Sequence, residues 1–302
     1  MNMLQRLFSL LKRPSAYPGK KALVIEGGGM RGIFLVGVLQ AFTDRGYFPW
    51  KAIIGSSAGA LTGVAYAARQ IHIARDAFFT ELLTGKLIRL RNVLNPEKHI
   101  LNLDWMVDTI INGNDPLDIL RLKKACPVLI TATDVKPGIP LKTIYLNSKK
   151  DDIPTALKAT AAIPFLYRSF VPYKEHRLLD GALLSPIPYC KALSMGFKET
   201  DILTIVTRQK GYRKKEESFW IKALVESYYR DEEHQLLLET LDNRYLQYNQ
   251  VLDDLENKHA GIEIIYPPED FKVNRLTVNE KKILIGFEQG IAAGRQFLVG
   301  KS

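Results

Sequence analysis

Residues 48–70 read FPWKAIIGSSAGALTGVAYAARQ. An apolar run through Ile53 and Ile54 gives way to six small residues, Gly55 to Ala60, and then to a stretch of small and apolar residues ending near Gln70. That order predicts a strand, a tight turn and a helix. In a G-x-S-x-G turn between strand and helix, the serine sits on a sharp bend that holds its hydroxyl clear of the backbone at the C-terminal edge of the sheet. Gly55, Ser57 and Gly59 match this spacing, and side chains at the two glycines would collide with the neighbouring strand or helix. The helix behind Ser57 would also point its N-terminal amides at any anion formed there.

The pentapeptide by itself is common, so its neighbours decide its meaning. Upstream, KALVIEGGGMRGIFLVGVLQAFTDRGY predicts a buried strand over Ala22 to Glu26, a glycine turn, and a helix from about Arg31 to Arg45 ended by Gly46. The strand–turn–helix plan thus occurs twice, and strands separated by helices of this length argue for a parallel sheet with helices on both faces. Further strands are expected at Val128 to Asp134, Lys142 to Leu146, Arg177 to Asp180 and Ile202 to Val206, with one more in GIEIIYPP before a last helix from about Asn279. The segment from Phe79 to Leu120, rich in charge, Asn and Pro, reads as a peripheral helical insertion. The organisation expected is an N-terminal segment (1–20), a catalytic domain (21–210) and a helical C-terminal extension packed on it (211–302).

The chain has 302 residues, 46% hydrophobic and 25% charged, close to the average for folded soluble proteins and long enough to bury a sizeable core. Cys126 and Cys190 lie far apart with no Cys/His cluster around them, which suggests neither a disulfide framework nor a zinc site and fits a reducing, cytoplasmic compartment. The net charge of +10 favours encounter with polyanions. No RNA- or DNA-reading motif accompanies it, so no nucleic-acid partner is expected. The opening MNMLQRLFSLLKRP places Leu4, Leu7, Phe8 and Leu11 at helical spacing beside Arg6, Lys12 and Arg13. It is too short for a secretion signal or a membrane span, and reads either as a helix packed on its own domain or as an interfacial anchor at an anionic membrane surface. The basic run RQKGYRKKEES (208–218) likewise reads either as a solvated loop or as a contact for anionic lipid.

Two further motifs fall on the same sheet edge as Ser57. GGGMRG, Gly27 to Gly32, follows the first strand, and its bare amides suit either a phosphate or the oxyanion of a tetrahedral intermediate. The run also matches G-x-G-x-x-G, but the second strand ends AIIGSS without the ribose-binding carboxylate of a dinucleotide fold. A nucleotide- or phosphate-binding protein is therefore the rival from another class. Asp180, in RLLDGALLSPIP, ends an apolar strand and would emerge beside Ser57; a carboxylate buried there could take the serine proton directly. Among the histidines, His72 and His99 lie too early for the Ser, Asp, His order of α/β-hydrolases. His176, His234 and His259 sit in strongly charged surroundings and leave a conventional Ser-His-Asp esterase as the rival within the enzyme class.

The glycine-rich strand end, G-x-S-x-G and D-G-A, in that order, resemble the patatin-like phospholipase family, most closely its bacterial members with EGGGMRG and GSSAGA. The similarity runs from about Lys21 to Val206 and includes ATAAIP (Ala159 to Pro164). It implies a three-layer α/β/α sandwich with a mostly parallel sheet, and hydrolysis of lipid acyl esters by a serine–aspartate dyad through an acyl-enzyme, without metal or other cofactor. By position, Ser57 would be the nucleophile, Asp180 the general base, and Gly27, Gly28, Gly29, Met30 and Arg31 the oxyanion loop. The implied partner is a phospholipid or other acyl-ester lipid. Glu26 stands where plant patatins have aspartate, and Ala182 where many members have a second glycine. Past about Arg208 the resemblance fades and leaves the C-terminal region without a role.

Overall fold

The structure, a computed structural model, describes residues 20–95, 97–229 and 234–299. The amphipathic segment at the N-terminus lies outside these residues, apart from Lys20. Eight strands form one sheet: β1 (Ala22–Ile25), β2 (Ala52–Ser56), β3 (Val128–Asp134), β4 (Lys142–Asn147), β5 (Val171–Tyr173), β6 (His176–Asp180), β7 (Ile202–Ile205) and β8 (Glu263–Ile265). Their order is β5-β6-β3-β2-β1-β7-β8, with β4 also paired to β3. The β3-β2-β1-β7-β8 run is parallel throughout. The α-helices of the described residues are α1 (Ile33–Asp44), α2 (Ala58–Ala67), α3 (Ile71–Thr84), α4 (Leu103–Asn112), α5 (Ile119–Lys124), α6 (Ile153–Ala161), α7 (Tyr189–Ser194), α8 (Phe219–Tyr228), α9 (Gln235–Asp253) and α10 (Glu280–Val299).

The central strands are buried on both faces, which is why they read as unbroken apolar runs rather than alternating ones. Alternate residues feed two separate cores: Leu23, Ile25 and Ile53 join a large cluster on one face, while Ala22, Val24 and Ile54 join a smaller one with Tyr189 and Leu252 on the other. This is the three-layer α/β/α sandwich expected from the sequence.

Two features differ from a purely parallel reading. β4 and β6 both run antiparallel to β3, and β5, only three residues long and carrying Pro172, is a strand that the sequence pattern does not announce. Hairpins replace crossover helices wherever the connection is short: Val135 to Leu141 join β3 to β4, and Lys174 and Glu175 join β5 to β6. The C-terminal helix α10 packs along α1. Its Gly286, Gly290 and Gly294 fall four apart and so share one helix face, and a Cβ on Gly294 would stand 2.8 Å from the Ala41 Cβ of α1. No helix of the described residues is long and apolar enough to cross a membrane.

Candidate active site

β2 runs directly into Ser57, which adopts φ 51° and ψ −127° before α2 begins. A non-glycine residue held in such a conformation costs on the order of 1–3 kcal/mol and persists only where its surroundings impose it. Those surroundings are visible. An added Cβ at Gly55 would lie 2.7 Å from the Ala60 backbone, and one at Gly59 2.6 Å from the Ile25 carbonyl, so the bend closes only with glycine at both ends. The Ser57 N–H donates to the Thr160 hydroxyl at 2.9 Å, and its carbonyl accepts from Ala60 and Leu61. Thr160 belongs to ATAAIP, so that motif braces the bend from α6.

Asp180 reaches Ser57 although 123 positions separate them in the chain. The Ser57 Oγ donates to Asp180 Oδ2 at 2.8 Å, and the Ala182 N–H donates to Oδ1 at 2.7 Å. Both side chains are nearly inaccessible, Ser57 at 6% and Asp180 at 4% exposure. Burial pushes the Asp180 carboxyl above its ordinary range, against the opposing pull of the Ala182 amide, the Ser57 hydroxyl and the Arg275 and Arg244 charges. The approach is set by strand register: Ser56 pairs with Thr131, and Ala132, the next residue on β3, pairs with Asp180. β6 therefore enters from beyond the C-terminal edge of the parallel strands and stops level with Ser57.

The glycine loop after β1 occupies the same edge, with Gly27, Gly28 and Gly29 beside Ser57 and Asp180. Three of its amides already have acceptors: Gly27 N–H donates to Pro186 O, Met30 N–H to Arg275 O and Arg31 N–H to Gly28 O. The amides of Gly28 and Gly29 have none among the described residues, and neither has that of Ala58, the first residue of α2. Ala58 is not singled out by the sequence motifs above, although its place directly after the serine at a helix N-terminus is signal enough. The buried Arg31 side chain donates from Nε to the Thr207 hydroxyl at 3.3 Å, tying the loop to the end of β7. Both oxygens of Glu26 are occupied, one accepting from Tyr248 OH at 2.8 Å and the other from Thr207 N–H.

The histidines go elsewhere. His176 pairs with Asp134 at 2.7 Å, His259 with Glu199 at 2.7 Å, and His234 stacks on Phe170. Among the described residues no histidine hydrogen-bonds Ser57 or Asp180.

On one side of Ser57 opens an apolar cavity of about 130 Å³, walled by Leu61 and Ala65 of α2 and Phe78 of α3, and by Leu101, Trp105 and Met106 from the insertion. An apolar cavity of about 150 Å³ stays dry and admits benzene, so this one is sized for a short length of hydrocarbon chain. The insertion is thus a wall of the site.

An apolar cavity thus opens on a strand–serine–helix bend at the edge of an α/β/α sandwich, the layout in which hydrolases place a serine beside its substrate pocket. The profile of the family described as Patatin-like phospholipase matches residues 23–193, and the chain belongs to that family. A second profile, a domain of unknown function (DUF6363), matches residues 234–299. The uncharacterized protein YjjU of Escherichia coli is 28% identical over 302 residues, covering 94% of this chain and 79% of its own length. The triacylglycerol lipase ptl3 of Schizosaccharomyces pombe is 45% identical over 218 residues, 61% of this chain and 44% of its own length, so the chain spans less than half of that relative. The crystal structure of VipD from Legionella pneumophila superposes with a TM-score of 0.53 over 94% of this chain and 67% of its own, at 14% identity, a likeness of fold.

Proposed function

We propose that the protein hydrolyses acyl esters of lipids, phospholipase A or lysophospholipase fashion, with Ser57 as nucleophile and Asp180 as its base. The observation that carries this reading is the 2.8 Å hydrogen bond between two buried side chains remote in sequence, at the mouth of an apolar cavity. Ser57 Oγ attacks the acyl carbonyl while Asp180 Oδ2 takes its proton. The free amides of Gly28, Gly29 and Ala58 hold the oxyanion, and losing one such donor typically costs about 10²–10³ in rate. Collapse of the tetrahedral intermediate expels the alcohol, which leaves with the proton from Asp180. Asp180 then deprotonates water, whose attack on the Ser57 ester releases the fatty acid and restores the serine. Burial suits Asp180 to both steps, because a carboxylate with a raised pKa is the stronger base.

A fluorophosphonate probe tests the assignment. Covalent labelling is expected at Ser57 and lost in Ser57→Ala, while single replacements of His176, His234 and His259 leave the labelling rate within a few-fold of wild type. Absence of labelling, or its loss with any one histidine, would overturn the dyad. The cavity makes a separate prediction about chain length. Ala65→Phe, which fills the cavity from α2, should shift preference toward shorter acyl chains, lowering kcat/KM for long-chain substrates at least ~10-fold relative to butyryl or hexanoyl esters. An unchanged chain-length profile would place the acyl chain elsewhere.

A further inference from the structure

Beyond the small space around Ser57 and Asp180, the site continues into a polar pocket of about 40 Å³ that shares Gly27, Ala182, Arg244 and Arg275 with that space. Its charged lining is lopsided: Arg31, Arg208, Lys214, Arg244 and Arg275 against one carboxylate, Glu26. Both Glu26 oxygens are occupied by Tyr248 and Thr207. Glu217, just outside, lies 3.5 Å from Lys214 and 4.0 Å from Arg244. Among the described residues, Arg208 and Arg275 have no carboxylate within salt-bridge distance; the carboxylate whose charge Arg275 and Arg244 feel across the site is Asp180.

This cluster is not a solvated surface patch. The Lys214 and Arg244 side chains are only 14% and 16% exposed. Burial first, then neighbouring cations, lowers Arg31 and Arg244 to about 10 and Lys214 to about 7. Gathering half-buried cations around an open space is unfavourable until an anion enters it. We propose that this pocket binds the phosphate of the acyl-ester substrate, and that it selects a terminal phosphate monoester over zwitterionic and uncharged head groups. Size and charge both favour the monoester. One water needs about 10–15 Å³ of such space, so the pocket takes about three, close to the bulk of a tetrahedral oxyanion and too little for a phosphate carrying choline. Nothing there would hold a quaternary amine either: the carboxylate is spent, and the Tyr212 ring is covered by the Arg208 guanidinium 4.2 Å from its centroid.

The site then joins two unlike compartments, one for hydrocarbon and one for a dianion, which is the layout of an acylglycerol phosphate. Arg244 and Arg275 come from residues 234–299, so the region of unknown function supplies two of the five cations that would hold the head group. The substrate class rests on the hydrolase reading, but binding can be tested without turnover. The probes are lysophosphatidic acid, lysophosphatidylcholine and monoacylglycerol with one short acyl chain, below their micelle concentrations, titrated calorimetrically into Ser57→Ala protein. Lysophosphatidic acid is expected to bind at least ~10-fold tighter than either of the others, since charge-assisted hydrogen bonds to buried cations are worth about that much each. Arg244→Gln and Lys214→Gln should each remove roughly 10-fold or more of that advantage, and Arg244→Lys should restore part of it. Equal affinities for the three probes overturn the proposal, as does inorganic phosphate alone binding as tightly as lysophosphatidic acid, which would mark a free-phosphate site. Failure of the hydrolase reading would be seen separately, as wild-type protein that fluorophosphonate does not label.

Discussion

Asp180→Asn is expected to lower kcat/KM by about 10²–10⁴ while raising the midpoint of thermal unfolding at neutral pH. The activity loss follows from removing the carboxylate that accepts from the Ser57 hydroxyl, a role that general-base catalysis typically values at about 10²–10⁴. The gain in stability follows from linkage. The Asp180 carboxyl is raised in the folded protein, chiefly by burial, so the fold favours its neutral form. Below the unfolded value of 3.8 the group is protonated in both states and contributes no difference. As pH rises from there toward the folded value, the unfolded chain ionises while the buried carboxyl holds its proton, so stability declines; above the folded value both states are ionised and it declines no further. Asparagine keeps the neutral shape, accepting from Ala182 N–H through its carbonyl and donating to Ser57 through its amide. The stability advantage of the variant should therefore be absent near pH 3 and grow as pH rises from the unfolded value through the raised folded one. The same titration gives wild-type kcat/KM an acidic limb above the ordinary carboxylate range. A variant that keeps wild-type turnover, or that melts below wild type at neutral pH, would sink this account.

Gly290→Leu should unfold the C-terminal helix from the body of the protein and take the active site with it. A Cβ at Gly290 would stand 2.9 Å from the Gly37 Cα and closer still to the Phe34 carbonyl, both backbone atoms of α1 that have nowhere to move. A glycine in the middle of a helix costs about 1 kcal/mol relative to alanine, so its presence there reflects this close approach. Forcing a leucine between two packed backbones costs about 3 kcal/mol or more, which lowers the melting midpoint by roughly 5 °C or more in a chain of this size. The glycine loop is affected because Arg275, shortly before α10, holds the Met30 amide through its carbonyl, and the Arg275 side chain sits against Gly29. Fluorophosphonate labelling of Ser57 should fall together with the melting midpoint. Wild-type stability and labelling in this variant would show that α10 does not support the site.

Legibility along the chain follows the range of the forces involved. β1, β2, β3 and β7 are readable within about a residue because strands buried on both faces must be apolar at every position. The bend at Ser57 is readable because its small residues sit at G-x-S-x-G spacing between strand and helix, although only the collision at Gly55 is local; the one at Gly59 is with the β1 carbonyls. β5 is not: three residues with a proline carry too little pattern, and their pairing with β6 is made by position alone. The insertion around 79–120 reads as peripheral because its charges and prolines dominate its composition, whereas Leu101, Trp105 and Met106 show their purpose only when they face α2 across the cavity. The basic run 208–218 reads as loop or lipid contact; it is a loop, and only the fold shows that within it Arg213 pairs with Asp253 and Glu256 and Lys214 turns inward.

The linear order of residues was enough to predict a parallel sheet with helices on both faces and the bend at Ser57, because strands and bend are written in contiguous residues, and the family resemblance pointed to which serine and aspartate to compare. That Asp180 meets Ser57 through an antiparallel strand stopping at the register of Ala132 emerged from the folded chain alone, because strand direction and register depend on partners distant in the chain. The same holds for Arg244 and Arg275 beside the glycine loop: long-range packing of α9 and α10 against the sheet and α1 gathers those charges, and no local pattern of residues records which distant surface a helix will cover.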